Sequence, residues 1–464
     1  MDRTNLEALF IQIARYAAER RAGDAERHHA PQATFADQLE RFRLRVQDEG
    51  VPAEQVIHEL IERAEPGLAA ITSPRFFGWV MGASNTAGVA ADWLTSLWGQ
   101  NTGNNAATPS SSAVEAQTGA ALLDLLDLPK ESSVGFVTGA TMANFTGLAA
   151  ARGEMLRRVG WDVEADGMFG APPVTIILGE EAHSTVFAAL KYLGFGAQRV
   201  LKVAVDRNGA MIPAAVTAAL ANASGPAIVI AQAGQINTGA FDAFGHIAEA
   251  CKAVNAWLHI DGAFGLWARA TKTHRHLGAG LELADSWAVD GHKWLQTPYD
   301  CGYAIVKHSE AHARAMQIAA SYLPSAGEGP RNPSDYVPEL SRRARGFATW
   351  VMIRHLGRNG VAEMISRNCA CARRFAQKLG AESGVEILND VVLNQVAVRF
   401  GTEDQTRAVI ARIQQGGVAF VGGSEWRGRW IMRISVTSEN TTEADVDKSV
   451  DAMLEAWREV RGRN

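Results

Sequence analysis

Lys293 lies in Asp290-Gly-His-Lys-Trp294, just after an apolar run at 284–289 that reads as a buried strand. A lysine at the end of such a strand is a costly choice unless its amine does chemistry, because burial disfavours the ammonium form. Upstream, a second run at 256–260 ends in Asp261. A strand-end aspartate followed by a strand-end His-Lys is what a pyridoxal 5'-phosphate (PLP) site needs. The lysine holds the aldehyde as a Schiff base, and the acid pairs with the pyridine nitrogen.

Such a cofactor also needs a cup for its phosphate and a face to stack on. Thr138-Gly139-Ala140-Thr141 follows a short strand at 135–137 and opens a helix from Met142. Small residues let the backbone approach an anion, the helix N-terminus supplies free N–H groups, and Thr141 adds a hydroxyl. His183 follows a strand at 174–179 and precedes another helix. Each residue has a plainer reading. The cup could be an ordinary helix cap, His183 a solvated loop residue, Asp261 an N-cap aspartate and Lys293 a snorkelling surface lysine.

Five motifs, in order, resemble those of the group II PLP-dependent decarboxylases, which include the aromatic amino acid and glutamate decarboxylases. They are Ser73-Pro-Arg-Phe-Phe77, Leu258-His-Ile-Asp-Gly-Ala263, Gly291-His-Lys-Trp294, Arg342-Arg-Ala-Arg345 and Ile431-Met-Arg-Ile-Ser435. The resemblance covers nearly the whole chain. It implies a homodimer with shared active sites that converts an L-amino acid to its amine and CO₂. Aminotransferase, Cα–Cβ lyase and aldehyde synthase chemistry on the same fold are alternatives, as is an inactive PLP-binding scaffold.

The resemblance also assigns roles. His183 would stack on the pyridine ring, Ala263 would pack near the opposite face, and His292 would reach the phosphate. Many family members have asparagine where this chain has Asp290, and an aspartate there would repel a phosphate unless reoriented or protonated. Arg433 would hold the substrate carboxylate or position a neighbour that does; structural pairing is the other reading. Trp79 and Met81 fall where the aromatic enzymes keep a substrate wall. The segment from Asn101 to Asn105 falls where a loop enters the partner's site, and its amides favour a polar substrate. Tyr322 and Tyr336 are candidates for the loop acid that protonates Cα.

The elements that position these residues follow from length and pattern. With 464 residues, the chain is too long for one ordinary core. Hydrophobic residues make up 47% and charged residues 20%, a soluble globular balance. A net charge of −5 and no basic stripe argue against nucleic acid. No apolar run reaches the roughly 20 residues of a membrane span. The first residues show no cleavable signal pattern, so a cytoplasmic protein is expected. The cysteines suggest no disulfide framework, and no structural metal is expected.

Amphipathic helices are expected at 6–21, 35–47 and 52–69, in a segment (1–75) that packs on a partner subunit. Seven β-rich runs alternate with helices through a large domain at 76–345. That is an α/β pattern with a mostly parallel sheet, and it fits the fold type I (aspartate aminotransferase-like) architecture that the family shares. A small α+β domain at 346–464 follows, with strands at 385–388, 395–400 and 430–436.

Overall fold

The computed structural model describes residues 3–318 and 331–462. Contacts divide the chain into two units. One comprises Ser84–Ala372 and Asn389–Val396; the other comprises Met1–Ala83, Arg373–Leu388 and Ala397–Asn464.

The first unit is built on a seven-stranded sheet. Its strands are β1 (Ser133–Val137), β2 (Thr175–Gly179), β3 (Leu201–Val203), β4 (Ala227–Gln232), β5 (Trp257–Asp261), β6 (Ser286–Asp290) and β7 (Gly302–Val306). Their order is β1-β7-β6-β5-β4-β2-β3. All seven expected runs are strands of this sheet. Neighbours from β3 through β6 run parallel, and β7 is antiparallel to both β6 and β1. β1 therefore points the same way as β6, so β1, β2, β4, β5 and β6 all end at one edge. In open α/β sheets, that carboxyl edge is where ligands bind.

Helix Ala140–Arg157 covers the middle of this sheet, and small residues let it sit close. A Cβ at Gly147 would come within 2.9 Å of the His259 ring. His259 is fully buried on β5 and bonds Ser286 Oγ and Asn144 Oδ1, both at 2.8 Å. Burial lowers its pKa to about 3, so the ring is a neutral bridge between two strands and the helix. That network fixes the helix whose N-terminus forms the expected phosphate cup. Around it, Leu148, Met155, Ile176, Leu178, Leu190, Ile228, Ile230 and Trp257 form a buried apolar core.

A second, four-stranded sheet contains β8 (Val385–Ile387), β9 (Gln395–Phe400), β10 (Gly422–Trp426) and β11 (Arg429–Ser435) in the order β10-β11-β9-β8, with β10 antiparallel to β11 and β8 antiparallel to β9. Thr402 and Thr442 open helices Glu403–Gly416 and Glu443–Arg461 with capping boxes. β10 was not expected, because Gly-Gly-Ser-Glu-Trp lacks an apolar run. It forms by pairing with β11 across a turn in which Arg427 and Gly428 both take positive φ.

The first N-terminal helix, Arg3–Ala22, slightly exceeds its expected span, whereas the second and third are shorter than their pattern suggested. The second stops at Arg41, because Phe42, Leu44 and Val46 alternate at period two and do not continue the helical face. The third ends at Ala64 and tightens into a 3₁₀ turn at Glu65–Gly67, where Pro66 lacks the N–H that would continue the helix. The long helix Gly346–Gly380 has a break at Gly357 (φ 61°).

One buried ion pair ties a loop to the main sheet. Arg342 and Glu115 are 2.9 Å apart, with side chains 0% and 1% exposed. Arg342 also donates to the carbonyls of Thr102 and Phe136. Removing one partner of such a pair strands the other charge. Arg342→Ala should lower unfolding free energy by about 3–5 kcal/mol. In urea unfolding, the double variant Arg342→Met/Glu115→Leu should recover much of that loss. A single variant as stable as the parent would show that the pair does not hold the loop.

Candidate active site

The carboxyl ends of the parallel strands bring the sequence candidates together. β5 ends in Asp261, which is 4% exposed and whose Oδ1 accepts the Ala263 N–H at 3.3 Å. Burial pushes its pKa up, opposed by the neighbouring His183 and Lys293. β6 ends in Asp290, and its backbone N–H donates to the Ala263 carbonyl, locking the two strand ends together. The turn after β6 carries His292 and Lys293. Lys293 Nζ lies 2.8 Å from Asp290 Oδ2 and 5.7 Å from the centre of the Phe264 ring.

β2 leads into His183, which caps helix Ser184–Tyr192. Its Nδ1 lies 2.8 Å from Thr185 Oγ1, and its backbone N–H donates to Gln232 Oε1 at the end of β4. His183, Gln232, Gly234, Ile236, Asp261, Ala263, Phe264 and Lys293 line one pocket.

At the end of β1, Gly139 precedes helix Ala140–Arg157. A Cβ at Gly139 would stand 3.0 Å from His292 and 3.2 Å from Asp290 Oδ1. The glycine therefore lets the cup close against the Asp290–Lys293 turn. The Ala140 N–H donates to Asp290 Oδ1 at 2.6 Å. Thr141 follows in the helix's first turn, where backbone N–H groups have no intrahelical acceptor. His292 stacks on Tyr299 at 4.2 Å, and its Nδ1 accepts the Cys301 N–H. Burial lowers the pKa of the ring. The neutral ring then carries its proton on Nε2, which faces Asp290 Oδ1 at 3.4 Å.

Other candidates lie elsewhere. Tyr336 packs on His312 at 5.1 Å, beneath the Arg331 guanidinium. His312 in turn bonds Ser133 at the start of β1. Tyr336 thus stands toward the opposite edge of the sheet from Lys293. Tyr322 lies outside the described residues. Asn101 Oδ1 accepts the Arg342 N–H, and the Asn105 amide donates to Asn332 Oδ1. These amides bind their own chain and are not among the residues lining the Lys293 pocket.

In the second unit, Arg433 donates to the Trp79 carbonyl at 3.1 Å, and its Nε has no partner. Burial lowers its pKa to about 10. Trp79 is exposed and stacks on Phe420; Met81 is half-buried. Gln232, Phe264 and Tyr299 were missed from sequence. A polar residue closing the apolar run of β4 could have pointed to Gln232; nothing local marks Tyr299.

A family model described as the pyridoxal-dependent decarboxylase conserved domain matches residues 36–401. The chain belongs to this family and is a PLP-dependent carboxy-lyase acting on amino acids. It is 26% identical over 415 residues to an aromatic-L-amino-acid decarboxylase of Bacillus atrophaeus, covering 86% of this chain and 84% of that protein. It is 27% identical over 397 residues to an L-2,4-diaminobutyrate decarboxylase of Rhizobium meliloti (strain 1021), covering 80% and 75%. In structure it resembles Oryza sativa TDC, solved with PLP and tryptamine, with a TM-score of 0.91, 22% identity and 99% coverage of both chains. That likeness shows the fold, which is type I.

The residues present fit PLP, the family's cofactor. Asp261 is a buried carboxylate that needs a positively charged partner, Lys293 supplies the amine, and the Ala140–Thr141 turn supplies N–H donors. If Asp261 keeps a proton on the pyridine nitrogen, its loss should harm turnover more than binding. Asp261→Ala should lower kcat by at least about 100-fold, since ~1.4 kcal/mol is tenfold in rate. PLP retention, followed by absorbance, should change far less. A kcat within a few-fold of the parent would contradict the role.

Proposed function

We propose that this chain removes the α-carboxylate of an L-amino acid as CO₂ and leaves the amine. The convergence of Asp261, His183 and Lys293 in one pocket carries the reading. PLP, when bound, supplies an aldehyde for the amine and a ring that takes up electrons from a broken Cα bond. Lys293 is the proposed covalent seat. Asp261 holds the proton on the pyridine nitrogen, and His183 and Ala263 flank the ring. Gly139, Ala140, Thr141 and His292 face the phosphate. The Cα–carboxylate bond breaks, CO₂ leaves, and a proton returns to Cα. Tyr322 and Tyr336 are the proposed donors. Because Tyr336 does not reach the pocket of its own chain, it could act only on that of a second copy.

Arg433 is proposed to take the substrate carboxylate, supported by its partner-free Nε and the absence of a carboxylate within ion-pair distance among the described residues. Trp79 and Met81 are proposed as substrate wall. No helix among the described residues is long and apolar enough to cross a membrane; the cytoplasm is the proposed compartment.

The test is CO₂ release from each proteinogenic amino acid, with DOPA, cysteine sulfinate and 2,4-diaminobutyrate added. We expect stoichiometric amine from the preferred substrate, none with Lys293→Ala, and a larger rise in KM than fall in kcat with Arg433→Ala. Keto acid, or aldehyde with peroxide, in place of amine would replace this reading with one of its alternatives. Since the Asn101 and Asn105 amides are bonded within their own chain, this comparison decides between polar and aromatic side chains.

A homodimer with shared sites is also proposed. Leu6, Phe10 and Ile11 are exposed on helix Arg3–Ala22, which has no buried residue, and Leu97 and Trp98 are exposed on helix Thr86–Trp98. Apolar surface of this kind marks an interface. Mixing Lys293→Ala subunits with Asn101→Ala/Asn105→Ala subunits should restore activity above either variant alone. Verified heterodimers without recovery would argue against a loop that crosses between subunits.

A further inference from the structure

Asp290 makes two contacts that matter for cofactor capture. Its Oδ1 takes the Ala140 N–H at 2.6 Å, and its Oδ2 takes Lys293 Nζ at 2.8 Å. The Asp290 side chain is 4% exposed, so water screens neither contact well. The first N–H of a helix is a natural seat for a phosphate oxygen. An ammonium bound to a carboxylate must be released and lose a proton before its lone pair can attack an aldehyde. One side chain therefore stands on both groups that PLP must engage.

We propose that Asp290 is a built-in competitor for the phosphate cup, and that its displacement by phosphate frees Lys293 to react. The inference rests on the PLP site proposed above. The anion and the carboxylate cannot share one N–H, and like charges at this distance in a buried site repel. Arrival of phosphate turns Asp290 away from Ala140, and Oδ2 leaves Nζ with it. Lys293 then gives its proton to solvent and its nitrogen bonds the aldehyde carbon, whose oxygen leaves as water. No oxidant or reductant is involved. The order of events is set by the cofactor's own phosphate, so an aldehyde without phosphate meets a lysine that is still held.

The test uses the full chain stripped of PLP. Inorganic phosphate binding is measured by calorimetry for the parent and for Asp290→Asn, which keeps the shape and removes the charge. We expect at least tenfold tighter phosphate binding in the variant. In the parent, pyridoxal, which lacks phosphate, should form its borohydride-reducible adduct on Lys293 at least tenfold faster when inorganic phosphate is saturating. In Asp290→Asn, that acceleration should disappear because the lysine is already free.

Phosphate affinity in Asp290→Asn within threefold of the parent, or weaker, overturns the proposal. If the variant does not fold, the parent decides alone: pyridoxal uptake that phosphate leaves unchanged or slows also overturns it. Failure of the site reading looks different. In that case the parent would form its PLP adduct on another lysine, or none, which peptide mapping after borohydride reduction reveals.

Discussion

A carboxylate buried at the end of β5 governs this site. Asp261 is almost fully enclosed, and its carboxylate accepts a long hydrogen bond from the Ala263 backbone. Burying an ionised carboxylate is unfavourable unless a positive charge answers it. His183 and Lys293 answer in part, and a protonated pyridine nitrogen would complete the balance. The same arrangement that makes Asp261 expensive for the protein would make it effective toward a bound cofactor, because in a low dielectric its charge acts strongly on a neighbouring N–H.

The rest of the unit can be understood as holding that charge in place. The Asp290 N–H to Ala263 carbonyl bond ties the ends of β5 and β6, and with them the acid and the lysine turn. The neutral His259 bridge fixes helix Ala140–Arg157 against those strands. Gly139 then allows the helix start to approach His292 and Asp290 without a clash. Farther out, the Arg342–Glu115 pair anchors the loop around Asn101, using a buried charge where apolar packing could have served. Its presence gives that loop one defined position relative to the sheet.

The surroundings of Asp290 explain its charge. An aspartate near a phosphate cup looks like an error in a charge ledger. Placed between the Ala140 N–H and Lys293, it instead satisfies a helix terminus and an ammonium together. That is a stable arrangement which an incoming anion must undo.

Much of the protein was legible in its residues. All seven strands of the main sheet were marked by short apolar runs; the central ones are buried on both faces and need continuous hydrophobic side chains, whereas the edge strand β3 leaves Leu201 and Lys202 exposed. Asp261 and Lys293 were marked because a polar residue at the end of such a run must have a reason to be there, whereas His183, in the loop after β2, was marked by the family resemblance. β10 was not legible, since its pairing depends on β11 and not on its own side chains. The partners of Asn101 and Asn105 were hidden as well. Composition showed amides, but only the approach of Arg342 and Asn332, more than two hundred residues away, decided that they bind their own chain. Likewise, the sequence alone determined which groups stand at strand ends, through local periodicity. Tertiary structure decided which ends meet, because strand order and direction are set by long-range pairing that no local pattern encodes. It also decided that Asp290 rests on Ala140 and Lys293, and that Tyr336 faces His312.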